Sequence, residues 1–390
     1  MERIIDCPLQ KHTDYYSSLL LCFSHLRWNF VFQRPQHILT RAAKNHRIIF
    51  LEEQIREDCS APSLHLNQAG RFITIATPVL PHGTGESEAM EIQRHLVDEL
   101  LASESYDRLV TWYYTPMALR FSDHIEGDLC VYDCMDELSA FKNAPPELVR
   151  LEKVMFGRAD VVFTGGQSLY EAKRAHHRAI YPFPSSIDVA HFHRARQSIA
   201  DPADQAHVPH PRVGFFGVID ERLDIDLVAY SAEVMPDVQF MMIGPVVKID
   251  PATLPQRANI HWLGGKQYAE LPSYLANWDA GWMPFALNES TRYISPTKTP
   301  EFLAAGLPVV STAIVDVVRT YGAQGLVSIA DADDVVEKLR DILSRPRGHH
   351  WAKTDAFLAG TSWDRTWEGM AAHMATASAL KNVIPLRRGA

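Results

Sequence analysis

From residue 18 onward the chain repeats one phrase: a short apolar run, a polar or glycine-bearing loop, then a helix-forming stretch. The runs at residues 18–24, 47–51, 71–76, 108–112, 129–133 and 160–164 read as strands, the first of them a continuous apolar run of the kind buried on both faces of a parallel sheet. Helices are expected over residues 34–43, 88–102 and 145–157, and from residue 165. Residues 193–210 then lose apolar periodicity and fill with Ala, Asp, Pro, Gln and His, which is a linker composition. The phrase restarts at 211–217 and continues with strands at 239–244, 259–265, 279–285, 307–310 and 325–330. Its helices are expected from Leu223, over 268–277, 301–305 and 315–321, from Asp331 and over 362–378. Strands alternating with helices in this way specify α/β folding in doubly wound sheets. A chain of 390 residues is ample for two such domains, each with its own core.

Ligands of doubly wound sheets sit beyond the carboxyl ends of the strands, so the loops there are the places to look. The first carries His25, Arg27, Trp28, Arg34 and His37, an aromatic platform with several donors, suited to a sugar or an anion. The competing account packs the Trp and Phe against the helix and leaves the arginines in solvent. No G-x-G-x-x-G follows the strand, so a dinucleotide cofactor is not expected. Further along, Trp112 and Tyr113 offer stacking faces, while Asp133 and Asp136 offer carboxylates. An ionised Asp within hydrogen-bond reach of a hydroxyl can act as its general base, which makes Asp136, Asp133 and His25 the candidate catalytic groups. Asp136 could equally cap a helix with Glu137 in its first turn, and Asp133 could tie down backbone amides.

Residues 287–311 pack a polar loop, a helix start, a short apolar helix, a glycine stop and a strand into about two dozen positions. Thr299 with Pro300 is the expected N-cap and first helical residue, and Gly306 the expected stop. Amides from Ser295 through Thr297 and Lys298 to Thr299 then lie at a helix N-terminus, where unpaired donors suit a phosphate. Glu301 sits in the same first turn, a position that favours a carboxylate in any protein.

Lys298, Glu301, Gly306 and Pro308, in the spacing K-x-x-E-x-x-x-x-G-x-P, resemble the donor loop of GT-B glycosyltransferases of the family 4-like group. That resemblance implies two Rossmann-like domains facing a cleft, with a C-terminal helix crossing back to the N-terminal domain. It gives Glu301 the ribose hydroxyls of a nucleotide sugar. Typical members carry another glutamate eight residues earlier. Here that position is Tyr293, and Glu289 lies twelve residues back. After the glycine that ends the strand, here Gly217, relatives often carry an arginine and then a lysine aimed at the diphosphate. Val218 takes the first place, and Arg222 stands near the second, where it could instead pair with Asp220 or Asp226. The base is read by main chain that corresponds to Leu263, Gly264 and Lys266, and Lys266 could reach a phosphate. Phe23-Ser24-His25-x-Arg27-Trp28 and Gln33-Arg34-Pro35-Gln36-His37 resemble a branch of bacterial enzymes that includes teichuronic-acid and related polysaccharide glycosyltransferases. Ser186, Asp188 and Phe192 fit the family's passage before the crossing between domains.

The implied layout is an acceptor domain at residues 1–192, a linker at 193–210, a nucleotide-sugar domain at 211–360 and a crossing helix at 361–380. Trp28, Arg34, His37, Trp112 and Tyr113 would face the acceptor. The implied activity is hexosyl transfer from a nucleoside-diphosphate sugar to a glycan or lipid-linked glycan in cell-surface polysaccharide synthesis, without metal or other cofactor. Sugar-nucleotide epimerisation on the same scaffold stays open because it needs the same donor grip with acids around the sugar, and Tyr293 and Val218 leave open a non-catalytic binding subunit.

Composition narrows the partners. A net charge of −9 and a pI near 6.0 argue against a nucleic-acid ligand. No apolar run has the length to cross a bilayer and the first residues lack a signal-peptide core, so a cytoplasmic protein, at most touching the inner membrane face, is expected. Cys22 and Cys130 fall in strands and should be reduced thiols, and Cys130-x-x-x-Cys134 is a poor zinc spacing. The Asp331-x-Asp333 pair sits at a helix start, where capping explains it better than a metal does.

Overall fold

The computed structural model describes residues 17–383; the leader and Cys7 lie outside the described residues. Nine strands form the first sheet: β1 (Ser18–Phe23), β2 (Arg47–Leu51), β3 (Ile55–Glu57), β4 (Ser63–Gly70), β5 (Ile73–Pro81), β6 (Arg108–Tyr113), β7 (Leu129–Cys134), β8 (Val161–Thr164) and β9 (Ile180–Pro182). Their spatial order is β3-β5-β2-β1-β6-β7-β8-β9. All pairs are parallel except β4 with β5. The second sheet holds β10 (Arg212–Phe216), β11 (Gln239–Ile243), β12 (Ile260–Gly264), β13 (Ala280–Met283), β14 (Val309–Ser311) and β15 (Ser328–Ile329), all parallel, in the order β12-β11-β10-β13-β14-β15. The fold is GT-B: two doubly wound α/β domains with a helix returning from the second to the first.

The hydrophobic runs explain the strands. Every position of β7 and β10 is buried, as a parallel sheet covered on both faces requires. The reading failed at β3 and β4. Most of β4 is exposed and carries His65, Asn67 and Gln68, so an edge strand without apolar alternation left no signal. The following strand runs on to Pro81, well beyond residue 76.

Residues 194–210 hold no strand, yet they pack onto the second domain. Ala195 and Val208 are buried in its core, and the buried Arg212 pairs with Asp201 at 2.6 Å. The final helix, Trp363–Val383, lays Trp363, Trp367, Met370 and Met374 against the first sheet beside Trp112 and Phe163. Each such side chain contributes about 1.5–3 kcal/mol of burial, enough to hold the crossing in place.

Both sheets change direction at one strand. β1 is flanked by β2 and β6, and β10 by β11 and β13, so the crevice of each domain opens beyond β1 and β10. The loops from these ends face each other.

Candidate functional site

The second domain's contribution starts with the helix Lys298–Ala305. It begins earlier than its sequence signals indicate. Proline is tolerated throughout a first turn, so Pro300 sits two residues into the helix, and Thr299 is buried with its hydroxyl toward the Met283 sulfur at 3.4 Å instead of capping. Gly306 ends the helix as expected, at φ 85°, its amide on the carbonyls of Leu303 and Phe302. The Thr297 hydroxyl caps no backbone amide and instead favours the ionised form of the Glu301 carboxyl. Glu301 is only 6% exposed. Burial pushes its pKa up to about 7, against the downward pull of Lys298 and Thr297. Lys298 is lowered by the same burial, with Glu301 opposing. Its stem crosses the end of β10 at Gly217, where a Cβ would lie 2.5 Å from Cε and 3.2 Å from Nζ. Gly217 has φ 144°, a conformation that favours glycine, and a side chain there would also displace the Lys298 ammonium.

Arg222 and Asp220 follow on the loop after β10. Asp220 is buried and holds Arg222 at 2.7 Å from Nη2 and 2.9 Å from Nε. The guanidinium also lies 5.3 Å from the ring of Phe141, which comes from the first domain. Lys248, on the loop after β11, places its ammonium 5.0 Å from the same ring and takes φ 62°, uncommon for a residue with a side chain. The first domain answers with Asp136 and His25. Burial raises the Asp136 pKa while Arg222, Arg34 and Lys298 draw it down. His25 is lowered to about 4 by burial and by Lys248, so its imidazole is neutral at pH 7, with Nδ1 buried and unpartnered. The arrangement is a cleft with cations on one wall and a carboxyl and a neutral imidazole on the other.

Several expected site residues lie elsewhere. Arg34 and Asp133, 3% and 0% exposed, form a bidentate pair at 2.8 and 3.0 Å, and Arg34 also donates to the Phe183 carbonyl. Their charge is spent inside the first domain, so neither meets a ligand. Trp112 and Tyr113 are wholly buried: Trp112 packs near Trp367 of the final helix, and Tyr113 stacks on Phe23 at 4.6 Å. His37 stacks on Trp363 at 4.5 Å and burial lowers it to about 3, so it anchors the crossing helix. Trp28 is half-buried with its edge on Phe50, and its amide is held by Glu52. Lys266 pairs with Asp204 at 2.7 Å over the Tyr274 ring. Leu263 packs on the second core, and Gly264 accepts the Gly244 amide at the end of β12. Ser295 abuts Gly166 of the first domain. Neither position for the family's earlier glutamate supplies a carboxylate, since Tyr293 packs on the first core and Glu289 is exposed beside Arg292. Asp331 accepts the amides of Asp333 and Asp334, as a turn residue before its helix.

Sequence reasoning passed over Phe141, Lys248 and Tyr268. Tyr268 stacks between Phe32 of the first domain, at 4.6 Å, and His191, at 4.1 Å, and its raised pKa reflects burial and then Glu301. The glycine ending β11, Gly244, could have flagged Lys248 by analogy with Gly217; nothing in the sequence marks Phe141. The domains also touch directly: Asp316 accepts the Ser168 amide at 3.0 Å, and Arg319 pairs with Glu171 at 2.7 Å.

Residues 210–345, the half of the cleft that carries Glu301 and Lys298, match the family described as Glycosyl transferases group 1. A Bacillus subtilis (strain 168) protein described as a teichuronic acid biosynthesis glycosyltransferase, TuaH, is 27% identical over 238 residues, covering 56% of this chain and 59% of that relative. The chain thus spans less than two thirds of the curated relative it matches. Among solved structures, sucrose-phosphate synthase of Thermosynechococcus elongatus superposes with a TM-score of 0.69 at 13% identity, over 94% of this chain and 100% of the other. An E. coli trehalose-6-phosphate protein bound with UDP-2-fluoro glucose gives 0.68 at 12% identity, over 91% and 98%. At these identities the likeness is one of fold.

Proposed function

We propose that the protein is a metal-independent hexosyltransferase that moves a sugar from a nucleoside-diphosphate donor to a glycan or lipid-linked glycan acceptor, at the inner membrane face, in cell-surface polysaccharide synthesis. The observation that carries the reading is the buried Glu301 beside Lys298 in the first turn of a helix, directly over the glycine that ends β10. An acid with a pKa near 7 and a partly desolvated amine are an unstable pairing on their own, and each gains from a ligand with hydroxyls and phosphates. Glu301 takes the ribose hydroxyls. Lys298, Arg222 and the helix amides take the diphosphate, whose charge grows as the bond to the sugar breaks. The main chain at residues 263–266 faces the base. On the opposite wall, Asp136 or neutral His25 accepts the proton of the attacking hydroxyl. The donor assignment is supported by the group 1 match and by the nucleotide-sugar analogue bound in the E. coli neighbour. The polysaccharide context is supported by the Bacillus relative. Among the described residues no helix is long and apolar enough to cross a membrane, which suits surface contact with a lipid-linked acceptor.

A melting series against nucleoside diphosphates tests the donor. Saturation at about a hundred times Kd should add about 2.7 kcal/mol of stability for the correct base. Glu301→Ala removes two charge-assisted hydrogen bonds and should weaken that binding about a hundredfold or more. If no nucleotide raises the melting temperature, or if Glu301→Ala binds like the parent, the assignment fails.

A further inference from the structure

The helix Leu148–Arg158 opens seven residues after Phe141, the ring that faces Arg222 and Lys248 across the cleft. Its inner face, with Leu151, Met155 and Phe156, is buried in the first core. Its outer face reads Val149, Arg150, Lys153, Val154 and Gly157, all exposed, with the two valines 50% and 49% open to solvent. At Gly157 this face runs into an open groove of about 820 Å³ lined by Phe156, Tyr170, Arg174, His176, His177 and Arg178. The surface therefore runs from the start of this helix to the end of the sheet at β9.

Its charge is the reverse of the chain's. Residues 147–178 hold six Lys or Arg against four carboxylates, in a protein of net charge −9. All four carboxylates are already paired: Glu147 with Arg120 and Arg150, Glu152 with Lys173, Asp160 with Lys381 and Glu171 with Arg319. Lys153, Arg174 and Arg178 are exposed and face no carboxylate at ion-pair distance among the described residues. Exposed aliphatic side chains set among uncancelled cations on a broad, shallow face match the chemistry of a bilayer surface: the cations meet phosphate headgroups and the valines enter the boundary below them.

We propose that this face docks the first domain on an anionic lipid surface, with the cleft's edge at Phe141 turned toward the bilayer. This rests on the membrane part of the reading above and specifies which surface meets the lipid. Docked this way, a lipid-linked acceptor reaches Asp136 and His25 without leaving the membrane.

Flotation of the full chain tests it, using vesicles of phosphatidylcholine alone or with phosphatidylglycerol. The parent should float only with the anionic vesicles, and less at high salt. Lys153→Glu with Arg174→Glu should lower partitioning at least about tenfold. Val149→Asp with Val154→Asp should also lower it, and Arg257→Glu, on the second domain, should not. All variants should keep the parent's melting temperature and its nucleotide-induced shift. If the face variants float like the parent, membrane association is real but this surface is not its seat. If the parent floats with neither vesicle, both the face and the membrane reading fall, while the nucleotide shift judges the donor site separately. If the variants instead abolish a dimer seen by light scattering, the face seats a second copy and the lipid proposal is wrong.

Discussion

The two walls of the cleft use charge in opposite ways. In the first domain the charges behind the strand ends are satisfied within the wall: Asp133 by Arg34, and Glu137 and Glu152 by Lys173. In the second, Asp220 engages Arg222 through Nε and Nη2 but not Nη1, Lys298 has only the carboxyl of Glu301 acting against its burial, and Lys248 lies over the Phe141 ring near His25 and Glu53 with no ion pair among the described residues. A charge closed off by an ideal partner builds a rigid wall; one left under-compensated is available to a ligand. Residue type does not separate the cases, because Asp133 at a strand end and Glu301 in a helix's first turn are both buried carboxylates beside a cation. The geometry of the partner does.

The largest effect that would break this contrast is at Asp133. Removing one member of a buried pair strands the other, at a cost of about 3–5 kcal/mol. Asp133→Ala should therefore lose roughly that much stability in urea unfolding and leave the affinity of whatever folded protein remains for the nucleotide unchanged. A variant that folds like the parent but loses nucleotide binding would place Asp133 in the site and erase the difference between the walls.

Glu301 should show the converse behaviour. Its carboxyl titrates near 7 in the folded protein and near 4.5 unfolded, so the folded state holds the extra proton between those values. Stability from this group is accordingly lost as pH rises from about 4.5 to about 7, and the burial penalty is complete by about pH 8, at up to about 3 kcal/mol. Glu301→Gln keeps the shape without the charge. It should be more stable than the parent at pH 8, by less at pH 5.5, and bind nucleotide more weakly at both. In the parent, affinity should fall as pH drops below 7, because ribose hydroxyls donate to the ionised form. Equal stabilities at both pH values would mean the carboxyl is not held in the strained state on which the contrast rests.

The two sheets, the final helix and the Gly306 stop were legible because each rests on local pattern, apolar runs, periodicity and a helix-ending glycine, whereas the crossing of that helix came from the resemblance. Glu301 and Lys298 came from one short phrase and its resemblance and Gly217 from a separate strand-ending glycine, and the three lie together in the fold. What was not legible depends on long-range pairing. Arg34 meets Asp133 across 99 positions, and His37 meets Trp363 from the other end of the chain. The sequence alone makes both look like ligand contacts, because it shows a side chain's chemistry and not what occupies it. Phe141 failed for the opposite reason, since an isolated aromatic in a loop has no pattern until Arg222 and Lys248 arrive beside it.

The smallest effect sharpens the contrast within the second wall itself. Lys266 follows the end of β12, where the resemblance puts the nucleotide's base, yet its ammonium is 2.7 Å from Asp204 and over Tyr274. Asp204 is held below the usual carboxylate range, chiefly by Lys266 and Tyr274 against the opposing effect of burial, so the pair is formed without help from a ligand. An ion pair this close to solvent contributes about 0–1 kcal/mol. Lys266→Met should therefore change unfolding stability by less than about 1 kcal/mol and nucleotide affinity by less than about twofold, whereas Lys298→Met, a neutralisation of the same kind, should weaken nucleotide binding at least about tenfold. Calorimetric titration of both variants decides it: if they lose affinity equally, pairing is a poor guide to which cations of this wall are free to bind.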